Sequence, residues 1–252
     1  MAHVSQVRAI DNSVIQLEVD DSEKDALNTW CGHVRYTPKY GGRNTTADVW
    51  ALELAPITSL GSAIWSVGGR ERERFSLAGG EVVVYDCDKP SDARWAAWLG
   101  PWHMAHGMFY APQWESSDIV ETFSRVAFTD TPEGMTADPG ARFDLQSSMY
   151  LQTIAGVGTL QVQSKQAAAG SVPKWRGYVA QAGEIWRITS TPNATAQPLL
   201  MVTPTVVATL SPWDAPRESR PGVSVRTLAA AANPSEAAAG FLTKVRRIDW
   251  NG

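Results

Sequence analysis

The stretch Val14-Ile15-Gln16-Leu17-Glu18-Val19 alternates apolar and polar side chains, which is the pattern of a β-strand with one buried face. The stretch Glu81-Val82-Val83-Val84-Tyr85 is a short β-branched run, typical of a more deeply buried strand. Segments of these two kinds recur along the chain at Ile119 to Phe128, Thr153 to Val162, Trp175 to Val179, Glu184 to Thr189 and Leu199 to Leu210. We therefore predict a mainly β protein.

Turn residues separate these segments at short intervals. The pairs Gly41-Gly42 and Gly79-Gly80 and the run Asp138-Pro139-Gly140 supply backbone angles that strands and helices do not adopt. Short strands punctuated in this way are typical of sandwiches and jelly rolls. We expect two β-sandwich or jelly-roll-like modules with one short helix and a C-terminal docking tail.

The predicted organisation has three parts: an N-terminal β-rich domain over residues 1–118, a second β-sandwich domain over 119–213, and a linker with a docking segment over 214–252. The short helix is predicted from Ser91 to Leu99. Ser91 can cap its N-terminus, Asp92 favours the positive end of the helix dipole, and Gly100-Pro101 ends it.

Charge and hydropathy exclude several classes of protein. The formal net charge is −4, from 22 basic and 26 acidic residues, so the positive field that drives binding to nucleic acid is missing. No run approaches the roughly 20 apolar residues of a membrane-spanning helix. The first residues also lack the apolar region of a secretory signal peptide. We expect no nucleic-acid partner, no membrane insertion and no signal-directed export.

The two cysteines, Cys31 and Cys87, leave two alternatives open. A protein made inside a cell keeps its thiols reduced, which favours two buried free thiols. A bridge between them requires release into an oxidising medium.

Candidate metal-binding and nucleophilic residues are few. His103 and His106 lie three positions apart and could share a face, but no third ligand follows at a regular spacing. Cys31 and His33 lie two apart, so one face of a strand could hold a thiol and a base, although nothing requires their contact. Neither pair is a sufficient basis for catalysis or metal binding.

Asp86 and Asp88 flank Cys87 and could serve as an acid/base pair or bind calcium, but turn formation and stabilisation of the following helix N-terminus explain them more simply. The glycine-rich runs match no phosphate-binding loop, and no nucleophile elbow occurs. We therefore expect no enzymatic activity, no cofactor and no metal.

The run Arg70-Glu71-Arg72-Glu73-Arg74 alternates charge along a predicted strand. In a regular strand the three arginines share one side and the two glutamates the other. Such a segment is either a solvated edge or a specific electrostatic contact with a neighbouring subunit, and it would also discourage indiscriminate edge pairing.

Aromatic residues suggest a glycan site. Trp102, Tyr110 and Trp114 lie in a loop-like stretch from Pro101 to Glu115, and a sugar presents an apolar face that stacks on such rings. The alternative is that these three side chains seal the join between the two modules.

The segment from Phe241 to Trp250 is too apolar for a free terminus. If they are helical, Phe241, Leu242, Val245 and Ile248 share one face, and Trp250 follows. We expect these five residues to dock onto a partner subunit, with folding back onto their own module as the alternative.

Three segments appear in this order along the chain: Phe128-Thr129-Asp130-Thr131-Pro132-Glu133-Gly134, then Pro139-Gly140, then the run from Gly177 to Ala180. In these segments the chain resembles the minor tail proteins of siphophages that infect actinobacteria. This resemblance of style and order covers about half of the chain. It implies a non-enzymatic virion component near the tail tip, made in the host cytoplasm, that binds other tail proteins and further copies of itself. A role in host attachment is also compatible with this class. The competing hypotheses are an adhesin module that binds cell-wall glycan, and an enzyme or unrelated β protein.

Overall fold

A computed structural model describes residues 1–38, 50–88, 91–110, 114–140, 143–188, 197–213 and 233–251. In these residues 56% of positions lie in strands and 20% in helices, and large antiparallel sheets dominate. The prediction of a mainly β, sandwich-like fold is therefore confirmed.

The strands are β1 (Ala2–Arg8), β2 (Val14–Asp20), β3 (Leu27–Pro38), β4 (Trp50–Pro56), β5 (Arg70–Leu77), β6 (Gly80–Asp86), β7 (Ala93–Leu99), β8 (His103–Tyr110), β9 (Ala127–Thr131), β10 (Gly134–Asp138), β11 (Phe143–Ile154), β12 (Gly158–Ser164), β13 (Tyr178–Val179), β14 (Glu184–Arg187), β15 (Leu199–Val202), β16 (Val206–Pro212) and β17 (Val245–Asn251). The α-helices are α1 (Leu60–Val67), α2 (Ser116–Ser124) and α3 (Pro234–Thr243). Short 3-10 helices occupy Asp21–Ala26, Ile57–Ser59 and Ala169–Ser171.

The chain forms two compact units that are not consecutive in sequence. Unit 1 comprises Met1–Val7, Val14–Trp30 and Met149–Gly252, and unit 2 comprises Arg8–Ser13 and Cys31–Ser148. The predicted boundaries at 118 and 213 follow changes of composition, whereas these units follow strand pairing between distant residues. Residues 214–232, the first half of the predicted linker and docking segment, lie outside the described residues.

Unit 1 contains two arrays of hydrogen-bonded strands. One has the strand order β17-β2-β1, and the other runs β13-β14-β15-β16-β12-β11 and ends on the first residues of β3. Tyr150 of β11 meets Trp250 of β17 edge to face, with ring centroids 5.8 Å apart. Helix α3 packs on β15, β16 and β17.

Unit 2 is built on the antiparallel order β3-β4-β8-β7-β6-β5. One face of this sheet is covered by α1, whose Leu60, Ile64 and Val67 pack on the buried cluster around Trp95. On the other face Trp98 stacks on Phe128 of β9 at 4.7 Å. The sheet therefore has an apolar core on both sides.

The helix predicted from Ser91 to Leu99 is wrong, because residues 93–99 form strand β7. Its side chains are good helix formers, but the strand lies between β6 and β8 with both faces covered. A strand buried on both faces loses the alternation that marks a strand in sequence. Trp95 and Trp98 consequently point to opposite faces of the sheet.

The strand predicted from Ile119 to Phe128 is also wrong over most of its length. Residues 116–124 form helix α2, and β9 begins only at Ala127. The Asp118 carboxylate accepts a hydrogen bond from the Glu115 backbone N–H at 3.0 Å, which stabilises the helix start. Ile119 and Phe123, four apart, are both fully buried on the face that this helix presents to the sheet.

Candidate functional site

A cavity of about 420 Å³ opens in unit 2 beside the end of β6. Its lining residues are Arg70, Asp86, Cys87, Asp88, Ser91, Asp92, Ala93 and Arg94. Arg70 contacts Asp88 at 3.1 Å, and Asp86 lies 3.8 Å from Arg94 and 3.4 Å from Arg72. Asp86 and Asp88, the two carboxylates considered as an acid/base pair or as calcium ligands, are thus already paired with guanidinium groups.

A second group of polar side chains crosses the sheet of unit 2. His33 of β3 lies directly opposite Glu53 of β4, and Glu53 lies directly opposite His106 of β8. Directly opposed residues share a face, so these three side chains form one row. Cys31 precedes His33 by two positions and shares that face.

This row brings Glu53 together with His33 and His106, two residues that the sequence offered only in separate pairs. His106 Nε2 lies 3.8 Å from Glu53 Oε2, and the His106 ring packs on Trp95 at 5.0 Å. The buried Nε2 of His33 makes no hydrogen bond to the described residues. Sequence reasoning missed Glu53, since nothing local marks it as a cross-strand neighbour of two histidines.

Burial decides the chemistry of this row. Desolvation lowers the pKa of His106, against the opposing effect of the Glu53 charge. Burial, and then the same Glu53 charge, raises the pKa of the Cys31 thiol. Both cysteines are free thiols, with Cys87 buried. A thiol that holds its proton at neutral pH is a poor nucleophile, so Cys31 and His33 do not form an activated pair.

His103 lies on the opposite face of β8 from His106, because the two are three apart in a strand. Its Nδ1 contacts Asp130 Oδ1 at 2.7 Å. Asp130 Oδ2 also accepts hydrogen bonds from the backbone N–H groups of Trp102 and His103, at 2.8 and 3.0 Å. Asp130 therefore anchors the turn before β8. Within the described residues no three His, Cys, Asp or Glu side chains are grouped to hold a metal ion.

The structure does not bring the predicted glycan-binding residues together. Trp102 precedes β8 and Tyr110 ends it, so about eight residues of extended chain, on the order of 26 Å, separate them. Trp114 packs edge to face on Phe109 at 5.3 Å and is half-buried, whereas Trp102 and Tyr110 are exposed. Trp114 is thus a packing residue, and no single sugar could contact all three.

The predicted docking tail is part of the core of unit 1. Its five apolar residues, Phe241, Leu242, Val245, Ile248 and Trp250, are all buried within the chain. The predicted single helix is wrong, because α3 ends at Thr243 and residues 245–251 form β17, which pairs antiparallel with β2. The alternative of folding back describes the tail correctly, so these side chains present no free apolar face to a partner.

Strand β5 is exposed and, among the described strands, pairs on one side only, with β6. The prediction that all three arginines lie on one side of β5 and both glutamates on the other is wrong, because the register with β6 shifts between Glu71 and Glu73. This β-bulge at Arg72 places Arg74 on the same side as Glu71. Each arginine of the run makes an ion pair, Arg70 with Asp88, Arg72 with Asp86, and Arg74 with Glu71 and Glu81.

A group of exposed aromatic residues in unit 1 was not identified as a site from the sequence. Trp175 and Tyr178 are 68% and 67% exposed, the highest values of any aromatic side chain in the described residues. We call this pair the aromatic platform. The signal in the sequence is two aromatic residues close to a glycine, in the segment Trp175-Arg176-Gly177-Tyr178.

Two further findings concern the chain as a whole. In the described part of the chain, no helix combines the length and apolar character needed to cross a membrane. Comparison with protein families, with curated proteins and with solved structures finds no match to this chain.

Proposed function

We propose that this chain is a non-enzymatic structural component of a phage virion, a minor tail or tail-tip protein that assembles with other tail proteins and with copies of itself. The resemblance of the segment from Phe128 to Gly134 and of the run from Gly177 to Ala180 supports this class. The structural observation that carries the proposal is the edge strand β5.

An edge strand offers a row of backbone N–H and C=O groups to a strand of another chain. Beside that row β5 displays five consecutive charged side chains of alternating sign. Charge patterns of this kind govern orientation and partner choice more than affinity. The bulge at Arg72 interrupts the ladder, so a partner must match both the charges and the irregular spacing. Ordered subunit contact fits these properties better than a freely solvated edge does.

A second candidate function is recognition of a glycan on the bacterial cell surface. The aromatic platform favours it, because exposed aromatic rings on a fixed backbone are suited to stacking on sugar rings. A host-attachment role and an assembly role are compatible, since β5 belongs to unit 2 and the platform to unit 1.

The assembly function is tested by sedimentation velocity of the purified chain, alone and with other tail proteins, and by mass spectrometry of purified virions. Arg72→Glu should weaken association and virion incorporation at low salt. Arg187→Glu, the same change at an exposed position of unit 1, is the matched control and should have no effect. A chain that stays monomeric in every mixture and is absent from virions would overturn the assignment.

A further inference from the structure

The aromatic platform combines exposed rings with a firmly held backbone. Trp186 Nε1 donates a hydrogen bond to the Trp175 carbonyl at 2.9 Å, and the Glu184 carboxylate accepts one from the Gly177 N–H at 2.9 Å. Tyr178 then pairs with Ile185 in the β13–β14 ladder. The two rings are therefore presented by a backbone whose position is already set.

Gly177 shows how closely this segment lies on the sheet. A Cβ added at Gly177 would stand 2.7 Å from the Trp186 ring and 2.7 Å from the Ile185 carbonyl oxygen. Only glycine fits such an approach without a shift of the backbone. Trp186 in turn packs in a buried cluster with Leu200, Val202 and Val207. Contiguous exposed apolar patches on a fixed backbone often mark ligand-binding surfaces.

The size of the platform favours a small ligand over a protein partner. The exposed parts of Trp175, Tyr178 and the neighbouring Val179 amount to on the order of 300–400 Å². A stable protein interface needs about 800 Å² from each partner. Strand β13 has only two residues, so it also offers too few backbone groups to hold an added strand.

The polar surroundings specify the ligand further. Lys174 and Arg176 are exposed on either side of Trp175, and neither pairs with a carboxylate in the described residues. The nearby acidic group, Glu184, is engaged by the Gly177 N–H. An exposed ring flanked in sequence by two exposed cations matches a ligand that has flat C–H faces and negative groups. Trp175 and Tyr178 are three residues apart, at most about 11 Å along the chain, which is within reach of a short oligosaccharide.

We propose that residues 174–179 form a binding site for an acidic carbohydrate, in which Trp175 and Tyr178 stack on sugar rings and Lys174 and Arg176 meet its carboxylate or phosphate groups. This site deepens the glycan-binding function and is independent of assembly through β5. Loss of carbohydrate binding would therefore leave sedimentation unchanged, and loss of assembly would leave carbohydrate binding unchanged.

The test is calorimetric and fluorescence titration of the full chain with acidic oligosaccharides (polygalacturonate, alginate, hyaluronan and glycerol-phosphate polymer fragments) and with neutral dextran fragments of similar length. We expect binding to at least one acidic probe, weaker binding at high salt, and a loss of about tenfold or more in Trp175→Ala and in Tyr178→Ala. Trp175→Phe should retain most of the affinity.

Two further variants separate the contributions. Lys174→Gln combined with Arg176→Gln should weaken binding of the acidic probe and remove its salt dependence. Trp65→Ala, which removes an exposed tryptophan of unit 2, is the matched control and should bind as the unaltered chain does. The proposal would be overturned if the chain bound no acidic probe, or if Trp65→Ala lost as much carbohydrate affinity as Trp175→Ala. It would also be overturned if Trp175→Ala changed sedimentation and left carbohydrate affinity unchanged.

Discussion

Arg74 holds the carboxylate of Glu71 with two hydrogen bonds, from Nε to Oε1 at 3.1 Å and from Nη2 to Oε2 at 2.9 Å. In a regular strand, side chains three apart point to opposite faces, so this pair exists because of the bulge at Arg72. The hydrogen bond from Arg74 lowers the pKa of Glu71. Both side chains are largely solvated, so the pair contributes to the shape of the edge more than to stability.

Deletion of Arg72 should restore a regular β5 without separating Glu71 from Arg74, which would then be two apart on one face. We expect the free energy of unfolding to change by less than about 1 kcal/mol. Non-specific self-association should increase, because bulges protect exposed edges. Light scattering against concentration measures this, and Arg72→Ala, which keeps the extra residue, is the control. Equal scattering from the two variants would show that the bulge has no protective role.

His106 should make unit 2 less stable in mild acid. Burial lowers its pKa from the usual 6.5, so below that pH the unfolded chain binds a proton that the folded chain resists. The contribution of neutral His106 to the free energy of unfolding is fully present above about pH 6.5, and it is lost as the pH falls toward the pKa of His106 in the folded protein. The free energy of unfolding, measured in urea, should therefore fall less between pH 8 and pH 5 in His106→Asn than in the unaltered chain. His3→Asn is the control, and an identical decline in His106→Asn would contradict the prediction.

Asp130→Ala should destabilise unit 2 strongly. The Asp130 side chain is 2% exposed, and its loss leaves the Trp102 and His103 backbone N–H groups and the His103 ring without their acceptor. We expect a cost of about 2–4 kcal/mol, from denaturant unfolding. Asp92→Ala, at an exposed position, should cost less than about 0.5 kcal/mol. Similar costs for the two variants would mean that Asp130 does not anchor the turn.

Phe241→Ala should destabilise unit 1 by about 3–5 kcal/mol, because Phe241 is fully buried between α3 and the sheets. Truncation after Gly222, which removes α3 and β17, should yield an aggregating chain, since β2 then loses one of its two neighbouring strands and becomes an exposed edge. Circular dichroism and size-exclusion chromatography measure both effects. A truncated chain that remains folded and monomeric would instead support docking of the tail in trans.

Gly177→Ala should disturb the aromatic platform without removing an aromatic side chain. The added Cβ meets both the Trp186 ring and the Ile185 carbonyl oxygen, so the segment must shift and the Trp186–Trp175 hydrogen bond weakens. We expect a cost of about 1–3 kcal/mol and altered tryptophan fluorescence. The control is Gly170→Ala, whose added Cβ meets nothing within 4 Å. Unchanged stability and emission in Gly177→Ala would contradict this packing.

The sequence predicted the β class correctly because individual strands such as β2 and β6 carry local patterns that survive in the fold. The prediction for β7 was wrong because apolar residues of this strand face cores on both sides, so the sequence shows no alternation. The prediction for α2 was wrong because one pair of apolar residues four apart is too short a helical signal beside the β-branched residues of the segment. The His33–Glu53–His106 row and the pairing of β17 with β2 depend on strand order. Strand order is a property of the whole chain, so neither the row nor the buried tail could be derived from local residues.

The contact between Asp20 and Arg246 joins positions 226 residues apart, and it lies beside the β2–β17 ladder. A ribosome that adds about 5–20 residues per second needs on the order of 10–50 seconds to make the intervening chain. Unit 2 ends at Ser148, so it can fold while unit 1 is still incomplete. During that delay newly made β2 strands can pair with those of neighbouring nascent chains. Weaker induction, which lowers the number of chains in synthesis at one time, should therefore raise the yield of correctly folded protein by reducing the concentration of such waiting chains.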